Sequence, residues 1–339
     1  MKKVTSMDVA RRAGVSQSSV SRAFSRHQTE SGVADETRAR IFKAAKELGF
    51  RPNAIARTLI TNQSRIIALL FSYLDNPFYA LALEKLCLEL QRKGYHALVF
   101  MMPDTIAEVD QTMNELLDYQ VDGIITASVE LSSNLIDRCD AQGIPVVMFN
   151  RTGSVSTASA VTTDNINGAR EVAQYLIAGG HRRIAMLGGW EEASTNRDRE
   201  FGFRAELAAS GVELFAYAHG DFHIERATEA ARALFGMPAL DRPDAVFVTN
   251  DYMAFPTLSV LRYELGLSLP NDVSVIGFDD VPRAAAPEYD LTTYRQPLNK
   301  MVELAVEQVI AAVNNSAFEP QKLALTGRLV ERGSARRPA

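Results

Sequence analysis

Cysteine, tryptophan and histidine are scarce in this 339-residue chain: two, one and five residues. Cys87 and Cys139 lie far apart in sequence, which argues against a cysteine-rich zinc cluster or a disulfide scaffold. Two thiols in a chain of this size fit a cytoplasmic protein. No apolar stretch reaches the roughly 18–20 residues needed to cross a bilayer. Charges at Lys2, Lys3, Asp8, Arg11 and Arg12 break up any apolar signal-peptide core. The phosphate-binding Gly-x-x-x-x-Gly-Lys-Ser/Thr, dinucleotide-binding Gly-x-Gly-x-x-Gly and zinc-binding His-Glu-x-x-His patterns are missing. Gly14-Val15-Ser16-Gln17-Ser18 lacks the second glycine of a hydrolase nucleophile elbow. Asp279 and Asp280 adjoin, but neighbouring strand residues point to opposite faces and make a poor acid/base pair. His181, next to Arg182 and Arg183, reads as structural. These absences lead us to expect a soluble non-enzyme with no cofactor, no metal site and no membrane partner.

What the chain does have is an uneven charge. The net −5 conceals a basic head. Residues 1–62 hold twelve Lys and Arg against five Asp and Glu, and the remaining 277 hold 24 against 36. A small cationic module on a larger acidic body suits a polyanion-binding unit joined to a second function. Apolar residues at 47% and charged residues at 23% are ordinary for globular domains, and the length allows two or three of them.

The head reads as helical. Residues 6–13 form a short helix capped by Ser6, with Val9, Ala10 and Ala13 on its apolar side and Gly14 as its stop. Ser16 caps a second helix, whose Val20, Ala23 and Phe24 face inward. Asp35–Leu48 forms a third, with Ile41, Ala44, Ala45 and Leu48 at helical spacing and Gly49 at its end. Pro52-Asn53 breaks the chain, and 54–60 suits one or two further turns. The spacing from Ala10 through Gly14, Val15 and Ser16 to Val20-Ser21-Arg22 is that of a helix-turn-helix. A small residue sits where the helices cross, and a glycine supplies the positive φ of the turn. An apolar plug follows, and the N-terminal half of the capped second helix can enter a major groove. Gln17, Ser18 and Arg22 point outward; glutamine suits adenine edges and arginine suits guanine edges.

From Ser64 onward short apolar strands alternate with helices. Strand candidates are 66–71, 96–101, 121–126, 145–150, 184–188, 214–218, 245–249 and 273–278. Helical patterns cover 79–93, 106–119, 165–178, 199–210, 224–235 and 252–265. Such alternation implies parallel sheets covered on both faces, and this many strands implies two α/β subdomains. Ligands in these folds bind beyond the carboxyl ends of the strands. No internal repeat is visible.

Val4 to Ala10, Gly14-Val15-Ser16, Val20-Ser21-Arg22, Phe50-Arg51-Pro52-Asn53 and Ala56-Arg57-Thr58-Leu59 together resemble the lactose/galactose repressor (LacI/GalR) family of bacterial transcription regulators. The likeness continues through Asp75-Asn76-Pro77-Phe78, Gly180-His181-Arg182-Arg183-Ile184, Arg199-Glu200-Phe201-Gly202-Phe203 and Gly277-Phe278-Asp279-Asp280, covering nearly the whole chain. It implies an all-α helix-turn-helix domain over 1–51, a hinge helix and linker over 52–63, and a two-lobed α/β body of the periplasmic-binding-protein type over 64–339. Lobe 1 would hold about 64–162 and 293–322, and lobe 2 about 163–292 and 323–339. The chain would cross between them near Thr162–Asp164, Thr292–Gln296 and Lys322–Leu325. The implied partners are a second copy of the chain and double-stranded DNA carrying a pseudo-palindromic operator. Thr5, Ser16, Gln17, Ser18, Ser21 and Arg22 would meet the operator directly. Asn53, Ala56 and Leu59 match the hinge that orders on DNA, with Leu59 as an apolar wedge in the minor groove. The leucine heptads of tetrameric members are missing from the C-terminal residues, which favours a dimer. One departure is the stretch Ser25–Ala34, about three residues longer than usual, which leaves phosphate contacts by Arg26 or His27 open.

Candidate effector-binding residues fall at strand ends. Phe78 and Tyr79 follow the first strand, behind Pro77, which pre-sets a helical turn. Asn150 and Arg151 follow the fourth strand candidate and resemble a sugar-contacting position. Arg199 and Asp279 match the family's effector-binding arginine and aspartate, and the forked donors of arginine suit adjacent hydroxyls or a carboxylate. Phe222 offers a face for stacking, and Asn250 ends another strand. Acceptors opposite a forked donor with aromatics nearby suit a sugar or sugar derivative. A purine or organic acid also fits, as does a periplasmic-type binding protein that never meets DNA.

Overall fold

A computed structural model describes residues 4–24, 33–50, 63–102, 112, 114–127, 133–153, 158–315 and 317–338. The chain divides into two units, Met1–Ser64 and Arg65–Ala339.

The head contains α1 (Ser6–Ala13), α2 (Gln17–Ala23) and α3 (Asp35–Leu48). The cap of α1 is Thr5, one residue earlier than the expected Ser6. The shift places Asp8 at the third helical position. Its carboxylate accepts the Thr5 amide at 3.0 Å while the Thr5 hydroxyl oxygen accepts the Asp8 amide at 3.3 Å. This reciprocal capping box satisfies two otherwise orphaned amides. Gly14 turns the chain at φ 65°, a conformation a Cβ disfavours. Val9, Ala10, Ala13, Val20, Ala23, Ile41, Ala44 and Ala45 form the head's small core. Phe24 packs edge-on against Phe42 and Phe50, closing one side of that core.

The body carries two six-stranded sheets. The first contains β1 (Ile66–Phe71), β2 (His96–Met101), β3 (Gly123–Ala127), β4 (Val146–Phe149), β5 (Ser159–Thr163) and β11 (Lys322–Leu325). Their order is β11-β5-β4-β3-β1-β2, parallel throughout. The second contains β6 (Ile184–Gly188), β7 (Ala216–His219), β8 (Ala245–Val248), β9 (Ser274–Asp279), β10 (Thr292–Arg295) and β12 (Arg328–Val330). Their order is β12-β10-β9-β8-β6-β7, parallel except for the β10–β12 pair. The two orders are the same, so both sheets have a topological switch point beside their first strand, where ligands of such folds bind.

The helices are α4 (Pro77–Arg92), α5 (Ser133–Ala141), α6 (Asn165–Ala178), α7 (Ser194–Ala209), α8 (Ile224–Phe235), α9 (Asp251–Ser259) and α10 (Leu298–Asn314). A π-helical turn, Val260–Glu264, prolongs α9 just past Pro256. Proline removes one helical hydrogen bond, and a widened turn is a common local adjustment. Half of the expected helix 106–119 lies outside the described residues; 112 and 114–118 are helical. Helices α6 and α7 cross closely because Gly202 carries no side chain. A Cβ there would sit 2.1 Å from the Ile166 carbonyl oxygen. Beneath them Phe203, Phe247, Phe278 and Tyr294 stack in series, with ring centroids 4.9, 6.4 and 4.8 Å apart.

The chain passes between lobes three times: after Thr163, after Arg295 and after Leu325. Residues 293–295 therefore stay in the second sheet, and 323–325 in the first. Both strands run on to their ends before crossing, about three residues beyond the lobe boundaries expected from the sequence. Among the described residues no helix is long and apolar enough to cross a membrane.

Candidate functional site

The head presents one polar surface. Thr5, Ser16, Gln17, Ser18, Ser21 and Arg22 are all exposed. The Ser16 hydroxyl oxygen caps α2 by accepting the Ser19 amide at 3.1 Å. Gln17 Nε2 donates to Ser6 Oγ at 3.0 Å, tying the start of α2 to α1. Arg12 pairs with Glu47 at 2.7 Å and links α1 to α3. Arg22 Nε reaches the Ser18 carbonyl at 3.4 Å, a long bond that a better acceptor can replace. Asn53, Ala56 and Leu59 lie outside the described residues, as do Arg26 and His27.

The second site is the cleft between the lobes, where strand ends from both sheets meet. It is lined by Tyr73 and Phe78 after β1, Asn150 and Arg151 after β4, Arg199 on α7, Phe222 after β7, and Asn250 and Asp279 after β8 and within β9. Asn76, Tyr79 and Thr195 complete the wall. All eight effector candidates read from the sequence thus meet in one place. Their backbones are unusual there: Asn150, Phe222 and Asp279 have φ of 67°, 59° and 134°, and Asp221 and Asp280 are also positive. Left-handed backbone at non-glycine residues costs energy and clusters at functional sites.

Arg199 organises the floor. Its Nε donates to Asn165 Oδ1 at 2.9 Å and its Nη1 to the Thr249 carbonyl at 2.5 Å. Its guanidinium lies 3.7 Å from the centroid of the Phe278 ring and 4.0 Å from the Asp279 carboxylate. Burial lowers its pKa, and Asp279 opposes that shift. The Asp279 carboxyl is pushed up to about 8, first by burial and further by Asp251, with Arg199 pulling it back. Gln296 Nε2 donates to Asp279 Oδ1 at 2.6 Å, and Gln296 Oε1 accepts the Thr163 hydroxyl at 2.6 Å. This chain joins two of the interlobe crossings to the acid. Asp251, fully buried below, accepts the Thr293 hydroxyl at 2.6 Å and the Val281 amide at 3.0 Å, pinning the turn that carries Asp279.

The upper wall is aromatic. The Tyr79 hydroxyl accepts Asn150 Nδ2 at 3.1 Å, and the buried Asn150 Oδ1 has no hydrogen-bond partner among the described residues. Arg151 Nη2 donates to the Tyr73 hydroxyl at 3.3 Å, and its guanidinium faces Trp190 and Phe222 at 5.7 and 5.9 Å. Asn250 caps α9 by accepting the Met253 amide at 2.9 Å. These side chains leave room for about one water molecule.

The chain is similar along its whole length to known regulators. It matches bacterial regulatory proteins of the lacI family over residues 5–53 and the periplasmic binding protein-like domain over residues 173–335. The ribose operon repressor of Escherichia coli (strain K12) is 32% identical over 339 residues, spanning 98% of this chain and 99% of the repressor. The regulator CelR of Thermobifida fusca is 32% identical over 338 residues, spanning 96% of each. Among solved structures, a Lac repressor dimer bound to operator and the anti-inducer ONPF superposes with a TM-score of 0.86 at 25% identity, over 98% of this chain and 99% of that one. The chain belongs to the LacI family. This LacI-family protein is a DNA-binding transcriptional regulator with a periplasmic-binding-protein-like body.

Several cleft residues of the regulator escaped the sequence reading. Asn76 caps α4, accepting the Phe78 amide at 3.0 Å, and also lines the cleft. Tyr73 lay in an unpatterned loop. Thr195 sits in the first turn of α7, which begins at Ser194 rather than Arg199. That turn is polar yet buried, and polar residues before a helix look like loop. Gln296 and Thr163 stand at crossings and had no motif of their own.

Proposed function

We propose that this regulator is a repressor whose hold on operator DNA is set by a small polyhydroxylated effector, a sugar or sugar derivative, bound between the lobes. The observation that carries this reading is the floor of the cleft. A fixed guanidinium (Arg199) stands beside a buried acid (Asp279), in one pocket with an amide oxygen (Asn150) that lacks a hydrogen bond among the described residues. A ring bearing adjacent hydroxyls can donate to Asp279 and Asn150 and accept from Arg199. Its C–H faces suit Phe78 and Phe222. Tyr79 orients Asn150, Arg151 borders the wall, and Asn250 adds an amide.

The tight cleft supplies a mechanism for coupling. A sugar is far larger than one water, so it enters only as side chains or lobes move apart. Its binding therefore favours one arrangement of the body over another, and only such a difference in affinity can shift an equilibrium. We further propose a homodimer that places two heads on successive major grooves of a pseudo-palindrome, with Asn53, Ala56 and Leu59 as a hinge in the minor groove between them. The protein returns its effector unchanged rather than converting it.

Calorimetric titration with a panel of pentoses, hexoses and their derivatives tests the cleft. At least one binds the wild type, and Asp279→Ala loses that binding while keeping its fold by circular dichroism. Selection of genomic fragments at low and moderate salt tests the head. A shared pseudo-palindrome that survives moderate salt is expected; fragments held only at low salt, without a motif, would reduce the head to phosphate attraction.

A further inference from the structure

We propose that Trp190 forms a second carbohydrate subsite at the mouth of the cleft, so that the preferred effector is a disaccharide rather than a single sugar. This inference rests on the carbohydrate reading of the inner cleft.

Trp190 is the only tryptophan in the chain, and it does no core work. It lies two residues past the end of β6, on the rim where the strand ends face the cleft, and it is 36% exposed. Exposing so large an apolar ring is costly, and tryptophan at such rims usually offers an apolar face and an indole N–H to a partner. Its position links it to the inner site. The ring centroid lies 6.4 Å from that of Phe222, which is 7% exposed and lines the inner cleft. The Arg151 guanidinium stands 5.7 Å from Trp190 and 5.9 Å from Phe222, so one cation from the other lobe faces both rings. The rings thus form a stepped path from the Arg199–Asp279 floor to solvent.

The backbone is shaped to keep that step. A Cβ at Gly189 would lie 2.1 Å from the Phe222 ring, so a side chain between Gly188 and Trp190 would displace Phe222. Beyond Trp190, Glu191 and Glu192 are exposed, and His223 stands with its ring 6.4 Å from the indole. An exposed aromatic face with two exposed acids next to it in the chain suits a second sugar ring. Its C–H face lies on the indole while its hydroxyls donate to the acids.

The sole tryptophan is also its own reporter. The full-length protein is titrated with monosaccharides and with disaccharides built from them, following tryptophan emission and calorimetric affinity. A disaccharide should bind about tenfold more tightly than its better monosaccharide unit, and it should shift the emission further than that unit does, because only its second ring covers the indole. Trp190→Ala should erase the disaccharide advantage and leave monosaccharide affinity within about twofold, and Trp190→Phe should keep most of it. Operator binding by each variant checks that it folds. An unaltered disaccharide advantage in Trp190→Ala overturns the subsite. Equal losses for one ring and two would make Trp190 a clamp for Arg151 and overturn it as well. If no sugar of either size binds the wild type, the carbohydrate reading of the inner cleft fails, and the subsite with it.

Discussion

The guanidinium of Arg199 sits over the Phe278 ring, 3.7 Å from its centroid, with Nη2 4.0 Å from the Asp279 carboxylate. Aromatic face, Asn165 and the Thr249 carbonyl together leave this arginine little freedom. A lysine cannot reproduce the planar fork. Arg199→Lys should therefore lose effector binding and cost about 1–3 kcal/mol of stability through the unpaired Asn165 and Thr249 groups. Calorimetry and urea unfolding check both parts. Specific operator binding should persist.

Asp279 and Asp251 give the body a pH dependence of known sign. Burial lifts their carboxyls to about 8 and about 6, above the ordinary 3.8 of an unfolded chain. The native state then holds more protons than the unfolded one between about pH 4 and pH 8. Their contribution to stability is present below that window and is lost as pH rises through it. Asp279→Asn should flatten the fall between pH 6 and pH 8. Melting curves of both proteins without effector check this, and parallel curves would contradict it.

Asp251 acts on the cleft at one remove. It touches no space a ligand can reach, yet it holds the Val281 amide and the Thr293 hydroxyl on either side of the Asp279 turn. Asp251→Asn would set an amide N–H against one of these donors. We expect a loss of about 1–3 kcal/mol in stability and weaker effector binding. Unfolding and sugar titration would show both losses together; an intact effector affinity would remove Asp251 from this positioning role.

Arg22 is exposed on α2, where its Nε makes a 3.4 Å bond to the Ser18 carbonyl. If it reads a guanine, Arg22→Ala should cost about 1–3 kcal/mol at one base position in each half-site. A binding-site scan with single-base changes measures this. A uniform loss across sequences would make Arg22 a phosphate contact instead.

Much of this architecture was visible in the sequence for identifiable reasons. The strands Ile66–Phe71 and Ile184–Gly188 are unbroken apolar runs, as doubly covered parallel strands must be. Gly14, Ser16 and Gly49 marked the helix ends by the chemistry of caps. Strands β5 and β10 were hidden because Ser-Ala-Val-Thr-Thr and Thr-Thr-Tyr-Arg are short and rich in hydroxyls, although nearly all are buried. Those hydroxyls face the crossings, where Thr163 and Thr293 bond Gln296 and Asp251. The cleft residues with motifs around them were found; Tyr73 in a loop and Thr195 in the polar first turn of α7 were not, because neither stretch carries a pattern, and Gln296, which bonds Asp279, reaches the site only through the folded crossing. The matching strand orders of the two lobes left no trace of sequence repetition, since topology constrains spacing and apolarity rather than residue identity.

In the proposed function, occupancy of the cleft changes the hold of the head on operator DNA. The most direct test is operator affinity of the purified protein, measured by fluorescence anisotropy as an effector sugar found by calorimetry is added. The account predicts a shift of about tenfold or more, the ordinary range of coupling between sites. It also predicts that Asp279→Ala binds operator like the wild type without sugar and no longer responds to it. A sugar that occupies the cleft yet leaves operator affinity unmoved, or an Asp279→Ala protein that responds normally, would contradict it.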